Sequence, residues 1–338
     1  MRQRTRILNG GKVNGPQQLE HVVVTGVAGF IGSHLTAALL KQGASVLGID
    51  RRPPSHDPTA AQNLADLTAQ PGFTLVERDL MDLDLERFAK GASAVFHLAG
   101  VPGVRPSWGD RFADYLTSNV MTTQRLLEAC AAMGVPRLVL ASSSSVYGTG
   151  ADRPSREEDL PTPLSPYGVT KLAAERLALA YALRPSTPTS VVALRYFTVY
   201  GPQQRSDMAI YRVLEAALTR RPMRLYGDGT QRRDFTYVDD AVAATIAAAS
   251  APARAEVVNV GGGRTYSMQH VLDCAAEITG FDIPIIRASR QSGDVETTAA
   301  DLTKAERLLR YRPSTSLIEG MTSQWKWALN QPGALWAQ

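Results

Sequence analysis

Residues 22–41 read V-V-V-T-G-V-A-G-F-I-G-S-H-L-T-A-A-L-L-K, and this stretch decides the fold. The first four residues are β-branched and apolar enough for a strand buried on both faces. From Phe30 the apolar residues recur at helical spacing until Gly43 stops them. Between the two lie Gly26, Gly29 and Gly32. Glycines here permit a tight turn, let a pyrophosphate approach the backbone and let the helix lie close on the strand, while the helix N-terminus offers free N–H groups to an anion. A second strand, S-V-L-G-I-D (45–50), ends in Asp50, eighteen residues after Gly32. A carboxylate there accepts hydrogen bonds from both hydroxyls of an adenosine ribose and repels a 2′-phosphate. The pattern therefore predicts a dinucleotide seated on Gly26, Ala28, Gly29, Phe30, Ile31 and Gly32, with Asp50 selecting NAD. Arg51 and Arg52 keep NADP open.

Outward from this unit the alternation continues. F-T-L-V-E-R (73–78), A-V-F-H-L (94–98), R-L-V-L-A-S (137–142) and S-V-V-A-L-R-Y (190–196) read as buried strands, with helical patterns near 109–133 and 167–185. Continuous apolar strands separated by helices imply an α/β class, Rossmann-type, doubly wound parallel sheet with both faces covered. After Tyr196, loops rich in Gly, Pro and Arg break the periodicity. The expected organisation is a basic, disordered tail over 1–20 and a dinucleotide domain over 21–195, joined by 234–250, where Val238 to Ala249 reads as a helix that packs back on the sheet. A smaller substrate-binding region would take 196–233 and 251–330.

The 338 residues are 44% hydrophobic and 20% charged, which excludes general disorder. No run of ~18 apolar residues predicts a membrane-spanning helix, and the N-terminus lacks the apolar core of a signal peptide. Cys130 and Cys274 form neither a disulfide framework nor a metal spacing, so a cytoplasmic protein without a metal is expected. The formal net charge is +4. Arg2, Arg4, Arg6 and Lys12 all precede Glu20, the first acidic residue, and account for it. The rest of the chain is near neutral, so no nucleic-acid partner is expected.

Two further clusters suggest chemistry. Tyr167-Gly-Val-Thr-Lys171 sets a phenol and an ammonium at i and i+4, on one helical face. A free tyrosine titrates near ~10, and a neighbouring cation favours the phenolate a base would need at neutral pH. Alone, such a pair also suits an ordinary surface helix. Upstream, a strand ends in Ser142-Ser143-Ser144-Ser145-Val146-Tyr147, where parallel sheets open their ligand crevice; alone it also suits a serine-rich turn. The order of glycine loop, aspartate, serine cluster and Tyr/Lys pair is far more specific than any one of these.

With these motifs, T-G-V-A-G-F-I-G, Asp79-Leu80, His97-Leu-Ala-Gly100, S-S-S-S-V-Y-G, Y-G-V-T-K and R-D-F-T-Y-V-D-D, the chain from residue 21 to about 330 resembles the extended short-chain dehydrogenases/reductases. The likeness is to their nucleotide-sugar epimerase and dehydratase branch. The resemblance implies that Ser143 is the catalytic hydroxyl, Tyr167 the base, and Lys171 the group that orients it while binding the nicotinamide ribose. It also implies cofactor contacts from Arg51, Asp79, Leu80, Leu98, Ala99, Gly100, Asn119 and Tyr196. Arg233 and Asp294 would contact the nucleotide of the substrate, and a homodimer would form through the helices near 109–133 and 167–185.

Dehydratases of this branch carry an Asp-Glu pair where this chain has Ser144 and Ser145, so dehydration is not expected. Decarboxylases typically carry Glu at the Ser145 position. The stretch R-Y-F-Thr198-V-Y-G-P-Q-Q-Arg205-S-D-M-A resembles that of UDP-glucuronate 4-epimerases, in which the threonine and arginine hold the sugar carboxylate. V-P-G-Val104-Arg105-P-S resembles them too, although their His-Leu-Ala-Ala is His-Leu-Ala-Gly here. An arginine fork matches a carboxylate bidentately. Arg205 could instead contact a surface acid or a phosphate. The implied reaction is epimerisation of a UDP-sugar, UDP-glucuronic acid, at carbon 4 on bound NAD. The alternatives are a UDP-glucose/UDP-galactose 4-epimerase, a decarboxylase and a non-catalytic NAD sensor.

Overall fold

The strand-loop-helix unit at the start of the chain seeds the sheet. The computed structural model describes residues 19–149, 153–289 and 295–331; the expected tail falls outside these residues except for Leu19 and Glu20. Those two are part of the fold. Leu19 packs on the core, and the Glu20 carbonyl accepts from the Ser45 amide at 2.7 Å.

The elements run β1 (His21–Thr25), α1 (Phe30–Lys41), β2 (Ser45–Asp50), α2 (Pro58–Leu64), β3 (Phe73–Glu77), α3 (Leu85–Ala89), β4 (Ala94–His97), α4 (Phe112–Tyr115), α5 (Thr122–Met133), β5 (Arg137–Ser143), α6 (Pro166–Leu183) and β6 (Ser190–Tyr196). They continue as β7 (Thr198–Tyr200), α7 (Ala209–Thr219), β8 (Met223–Tyr226), β9 (Arg232–Tyr237), α8 (Val238–Ala249), β10 (Ala255–Val260), β11 (Thr265–Ser267), α9 (Met268–Thr279), β12 (Ile285–Ala288), α10 (Thr303–Leu309) and α11 (Leu317–Leu329). Between α4 and α5, Leu116–Met121 forms a wider π-turn.

Seven strands form one parallel sheet in the order β10-β6-β5-β4-β1-β2-β3. The order reverses between β1 and β4. On either side of that point successive strands are added outward in opposite directions, so a crevice opens beyond the carboxyl ends of β1 and β4. Both faces are covered. Leu35, Leu39 and Val242, from α1 and α8, lie in the core on one side, and Leu126, Leu127, Ala174 and Ala178, from α5 and α6, lie on the other.

The division at residue 250 needs correction. The stretch A-E-V-V-N-V (255–260), assigned to the substrate region, pairs with β6 as the outermost strand of the large sheet, and α10 packs against it. Its buried Val257, Val258 and Val260 complete the sheet core. The chain then builds a third apolar cluster over the crevice from Ile210, Val213, Leu214, Val271, Leu272 and Met321. A three-stranded sheet (β11-β9-β7) and the β12-β8 pair stand beside it.

Candidate active site

The crevice is a cavity of about 1130 Å³ lined from both halves of the molecule. That is above the ~300–1,000 Å³ range of single small-ligand sites. At its floor, Gly26 has φ +75, and a Cβ there would stand 2.7 Å from the Ala99 nitrogen. A Cβ on Gly32 would stand 2.2 Å from the Gly26 carbonyl oxygen. Only glycine lets β1, the turn and α1 come this close. Asp50 ends β2 beside the turn, buried. Its Oδ2 accepts from the Ala28 amide and its Oδ1 from the Arg52 amide, each at 3.0 Å. The Arg52 side chain also turns back on Asp50, with Nε 3.2 Å from Oδ1. Arg51 is drawn instead to Asp79 at 3.2 Å.

The reactive cluster sits where β5 and α6 meet. Ser165 caps α6 by accepting from the Gly168 amide at 3.1 Å, and Pro166 starts the helix with its φ preset. Tyr167 and Lys171 thereby project from the first turns of α6 toward the end of β5. The Ser143 hydroxyl accepts from the Ser145 amide at 3.1 Å, which fixes its rotamer. Burial raises the Tyr167 phenol above its ordinary pKa, while a hydrogen bond from Ser143 and the Arg205 charge oppose that rise. Lys171 donates to the Ala141 carbonyl at 2.6 Å, and burial lowers its pKa to about 8. The chain's own groups that favour the phenolate are therefore Ser143 and Arg205. The Tyr115 ring packs edge-on against Tyr167, with centroids 6.2 Å apart.

Opposite this cluster, β7 presents Thr198, and the loop that follows presents Arg205. Gln204 anchors that loop: its side chain donates to the Val199 carbonyl at 3.0 Å and accepts from the Tyr211 amide at 3.1 Å. The Arg205 fork is bidentate to Asp207, Nε to Oδ1 at 2.9 Å and Nη2 to Oδ2 at 2.8 Å. The surface-acid contact that the sequence left open is thus present, and it lies inside the cavity wall. Arg105 lies 4.3 Å over the Tyr226 ring, joining the loop after β4 to β8 across the opening. Arg233, on β9, donates to the Arg232 and Glu296 carbonyls at 2.9 and 3.2 Å.

A profile of the NAD dependent epimerase/dehydratase family matches residues 22–261. The chain belongs to that family. Among solved structures it is 48% identical to MoeE5 in complex with UDP-glucuronic acid and NAD, over 91% of this chain and 99% of that one, with a TM-score of 0.84. MoeE5 is also solved with UDP-glucose and NAD. The UDP-glucuronic acid 4-epimerase from Bacillus cereus, in complex with UDP-glucuronic acid and NAD, is 40% identical over 91% of this chain and 98% of that one, with a TM-score of 0.86. A UDP-glucuronate 4-epimerase of Thermodesulfobacterium geofontis is 38% identical over 315 residues, covering 91% of this chain and 96% of its own.

Of the residues the sequence singled out for this family's site, the cavity is lined by Gly26, Gly29, Phe30, Ile31, Gly32, Asp50, Arg51, Asp79, Leu80, Leu98, Ala99, Gly100, Val104, Arg105, Ser143, Ser144, Ser145, Tyr167, Lys171, Tyr196, Thr198, Arg205 and Arg233. Ala28 and Asn119 stand behind the wall. The Ala28 methyl is fully buried, its amide is given to Asp50 and its carbonyl accepts from Asn63 at 2.9 Å. Asn119, in the π-turn, accepts from the Val101 amide at 2.8 Å and donates to Thr170 at 3.1 Å. It ties the loop after β4 to α6. The Tyr196 hydroxyl is also turned away, bonded to Thr245 at 2.7 Å. Asp294 lies outside the described residues. Sequence reasoning missed Asp207, whose signal was the R-S-D spacing, and Tyr226, which carried none.

Proposed function

We propose that this protein interconverts UDP-glucuronic acid and UDP-galacturonic acid by NAD-dependent epimerisation at carbon 4. The observation that carries this reading is Arg205: a guanidinium fork that lines, with Thr198, the same cavity as Ser143, Tyr167 and Lys171.

The residues present fit NAD. The glycine cradle would be filled by any Cβ, and Asp50 stands where an adenosine ribose would lie. Arg52, the cation best placed to welcome a 2′-phosphate, is engaged with Asp50. The Ala28 and Arg52 amides take one acceptor position on each Asp50 oxygen and the Arg52 side chain takes the other, so ribose hydroxyls would bind there by displacing the Arg52 guanidinium. NAD held there would supply the acceptor and later the donor of the hydride exchanged at carbon 4.

The chain's own residues supply the rest. Tyr167, as phenolate, takes the 4-hydroxyl proton, and Ser143 shares a hydrogen bond with the phenol and steadies the charge. Lys171 holds its ammonium beside the end of β5, where the nicotinamide ribose would lie. Ser144 and Ser145 cannot carry out general acid–base work at neutral pH, so no water is eliminated. Arg205 and Thr198 hold the carboxylate. A 4-keto uronate is a β-keto acid that loses carbon dioxide when the bond to its carboxylate stands perpendicular to the carbonyl; the clamp holds it away from that alignment.

We also propose a cytoplasmic homodimer. Phe112, Leu116 and Met121, along α4 to the π-turn, and Val169 and Leu183 on α6 expose large apolar side chains that a second copy would cover. Both cysteines are free thiols, which suits a reducing compartment. No helix among the described residues is long and apolar enough to cross a membrane.

The test is Arg205→Ala, assayed with UDP-glucuronate and UDP-glucose. We expect affinity for the uronate to fall about 10- to 100-fold, as for loss of a charged hydrogen bond, with little change for UDP-glucose and more pentose by-product. An unchanged preference for the uronate would overturn the assignment.

A further inference from the structure

Among the described residues, the cavity wall carries an anion to which the reaction assigns no role. Asp207 sits two residues after Arg205 and lines the same wall. Its carboxylate takes the Nε and one Nη2 hydrogen of Arg205, two of the five donors of a guanidinium. Burial opposes the charged form of Asp207, but Arg205, with Arg212 behind it, holds the carboxyl below its ordinary range. The loop backbone is held independently of this pair. Gln204 anchors one end, and the Met208 amide donates to the Arg205 carbonyl at 3.1 Å to close the turn. The pair is therefore an electrostatic arrangement displayed on a fixed loop, and the loop's shape does not depend on it.

Arg205 faces two different demands. A uronate brings its own carboxylate to the fork. A neutral hexose brings a hydroxymethyl group, and the Arg205 guanidinium, 38% exposed in the open crevice beside an Asp207 that is 60% exposed, would lack a counter-charge once the sugar covers it. Asp207 supplies that counter-charge from the protein. It also places a like charge close to any incoming carboxylate, which penalises the acid sugar.

We propose that Asp207 is a specificity-determining residue: as the built-in counter-ion of Arg205 it widens the site to neutral UDP-hexoses and moderates the preference for the uronate. This rests on the reading of Arg205 as the carboxylate clamp. Asp207 acts through Arg205 and is a positioning residue; it touches neither the reacting carbon nor its proton.

The test uses the full chain with NAD bound. Dissociation constants for UDP-glucuronate and UDP-glucose are measured by titration calorimetry in a Tyr167→Phe background, which prevents turnover, with and without Asp207→Asn. The proposal predicts that Asp207→Asn tightens UDP-glucuronate and weakens UDP-glucose, so that their ratio moves at least about tenfold toward the acid, as for removal of one close charge. Asp207→Glu should restore the original ratio. Equal weakening of both ligands, or an unchanged ratio, would overturn the proposal and leave Asp207 a structural residue. Turnover of UDP-glucuronate by the unmodified enzyme is followed in parallel. Its absence would overturn the functional reading and this proposal with it, whereas its presence with an unchanged ratio would overturn the proposal alone.

Discussion

Glu175→Gln should destabilise the protein and disturb catalysis from a residue outside the cavity. Glu175 lies on α6 four residues after Lys171 and eight after Tyr167, on the face turned to the sheet. It is fully buried with Arg195 of β6, at 2.6 Å from Nη2 to Oε1 and 2.9 Å from Nε to Oε2. Ser142, the neighbour of Ser143, donates to the same carboxylate at 2.9 Å. Arg195 also lies 4.6 Å over the Tyr147 ring. Burial works against the guanidinium, but the Glu175 hydrogen bonds and charge hold its pKa above the ordinary range.

Removing one charge from such a pair leaves the other uncompensated, at about 3–5 kcal/mol. An unfolding entropy of roughly 2.1 cal/mol/K per residue over 338 residues is about 0.7 kcal/mol/K. Tm should therefore fall by about 4–7 °C. Loss of the strut between α6 and β5 should also loosen Tyr167 against Ser143 and lower kcat about 10-fold or more, as misplacement of reacting groups does. Differential scanning calorimetry and steady-state rates check both. A Glu175→Leu/Arg195→Met double variant should lie closer to the wild type in Tm than either single variant. A Tm for Glu175→Gln within 1 °C of the wild type, roughly the resolution of the scan, would refute the argument.

Other consequences follow from the same geometry. Tyr167→Phe should lower turnover by about 10²–10⁴-fold, while bound NAD, read from the absorbance of the purified protein, stays at the wild-type level. Asp50→Ala removes the acceptor of the Ala28 amide as well as the ribose contact, so NAD retention through gel filtration should drop about 10-fold or more. Lys171, lowered to about 8, loses its charge as pH rises through that value; the rate should decline on that limb, and Lys171→Arg, whose guanidinium stays charged, should displace the limb upward. His97 is buried between Thr25 and Thr123, and its pKa is lowered by burial, and then by Lys171, to about 3. The unfolded chain takes up a proton below about 6.5 that the folded chain refuses until about 3, so stability present at neutral pH is lost on acidification. His97 should account for about 2 kcal/mol of the loss between pH 7 and pH 5, and urea melts of His97→Gln should lack that component.

Much of the fold was legible because buried parallel strands are continuous apolar runs. Ser45–Asp50, Ser190–Tyr196 and Val238–Ala249 begin and end where the sequence pattern does. The strand after residue 250 was assigned to the wrong region: A-E-V-V-N-V is as long as β2 and follows α8 closely, but Glu256 and Asn259 interrupt its apolar run, and its pairing with β6 is what places it in the large sheet. The substrate side was harder for the same reason. Helix α7 starts directly after the loop that carries Arg205, and its apolar face is turned to a third cluster assembled from residues roughly sixty and a hundred positions away, in a way no local period records.

Within the site, the glycine turn, Asp50 and the Ser143, Tyr167 and Lys171 cluster could be read from local spacing on regular elements. The bonds of Asn119 to Val101 and Thr170 could not be read, because it sits in a π-turn whose spacing departs from the helical period. Nor could the partner of Arg205. Two side chains on an irregular loop have no shared face until the backbone is known, and the R-S-D spacing does not say whether the pair faces the crevice or the outer surface.

The central claim is tested most directly by incubating the purified protein with UDP-glucuronate, without added cofactor, and resolving the products by NMR beside a UDP-glucose control. The account predicts UDP-galacturonate with little pentose, and slower conversion of UDP-glucose. Turnover of UDP-glucose with none of UDP-glucuronate, before and after addition of NAD, would contradict it.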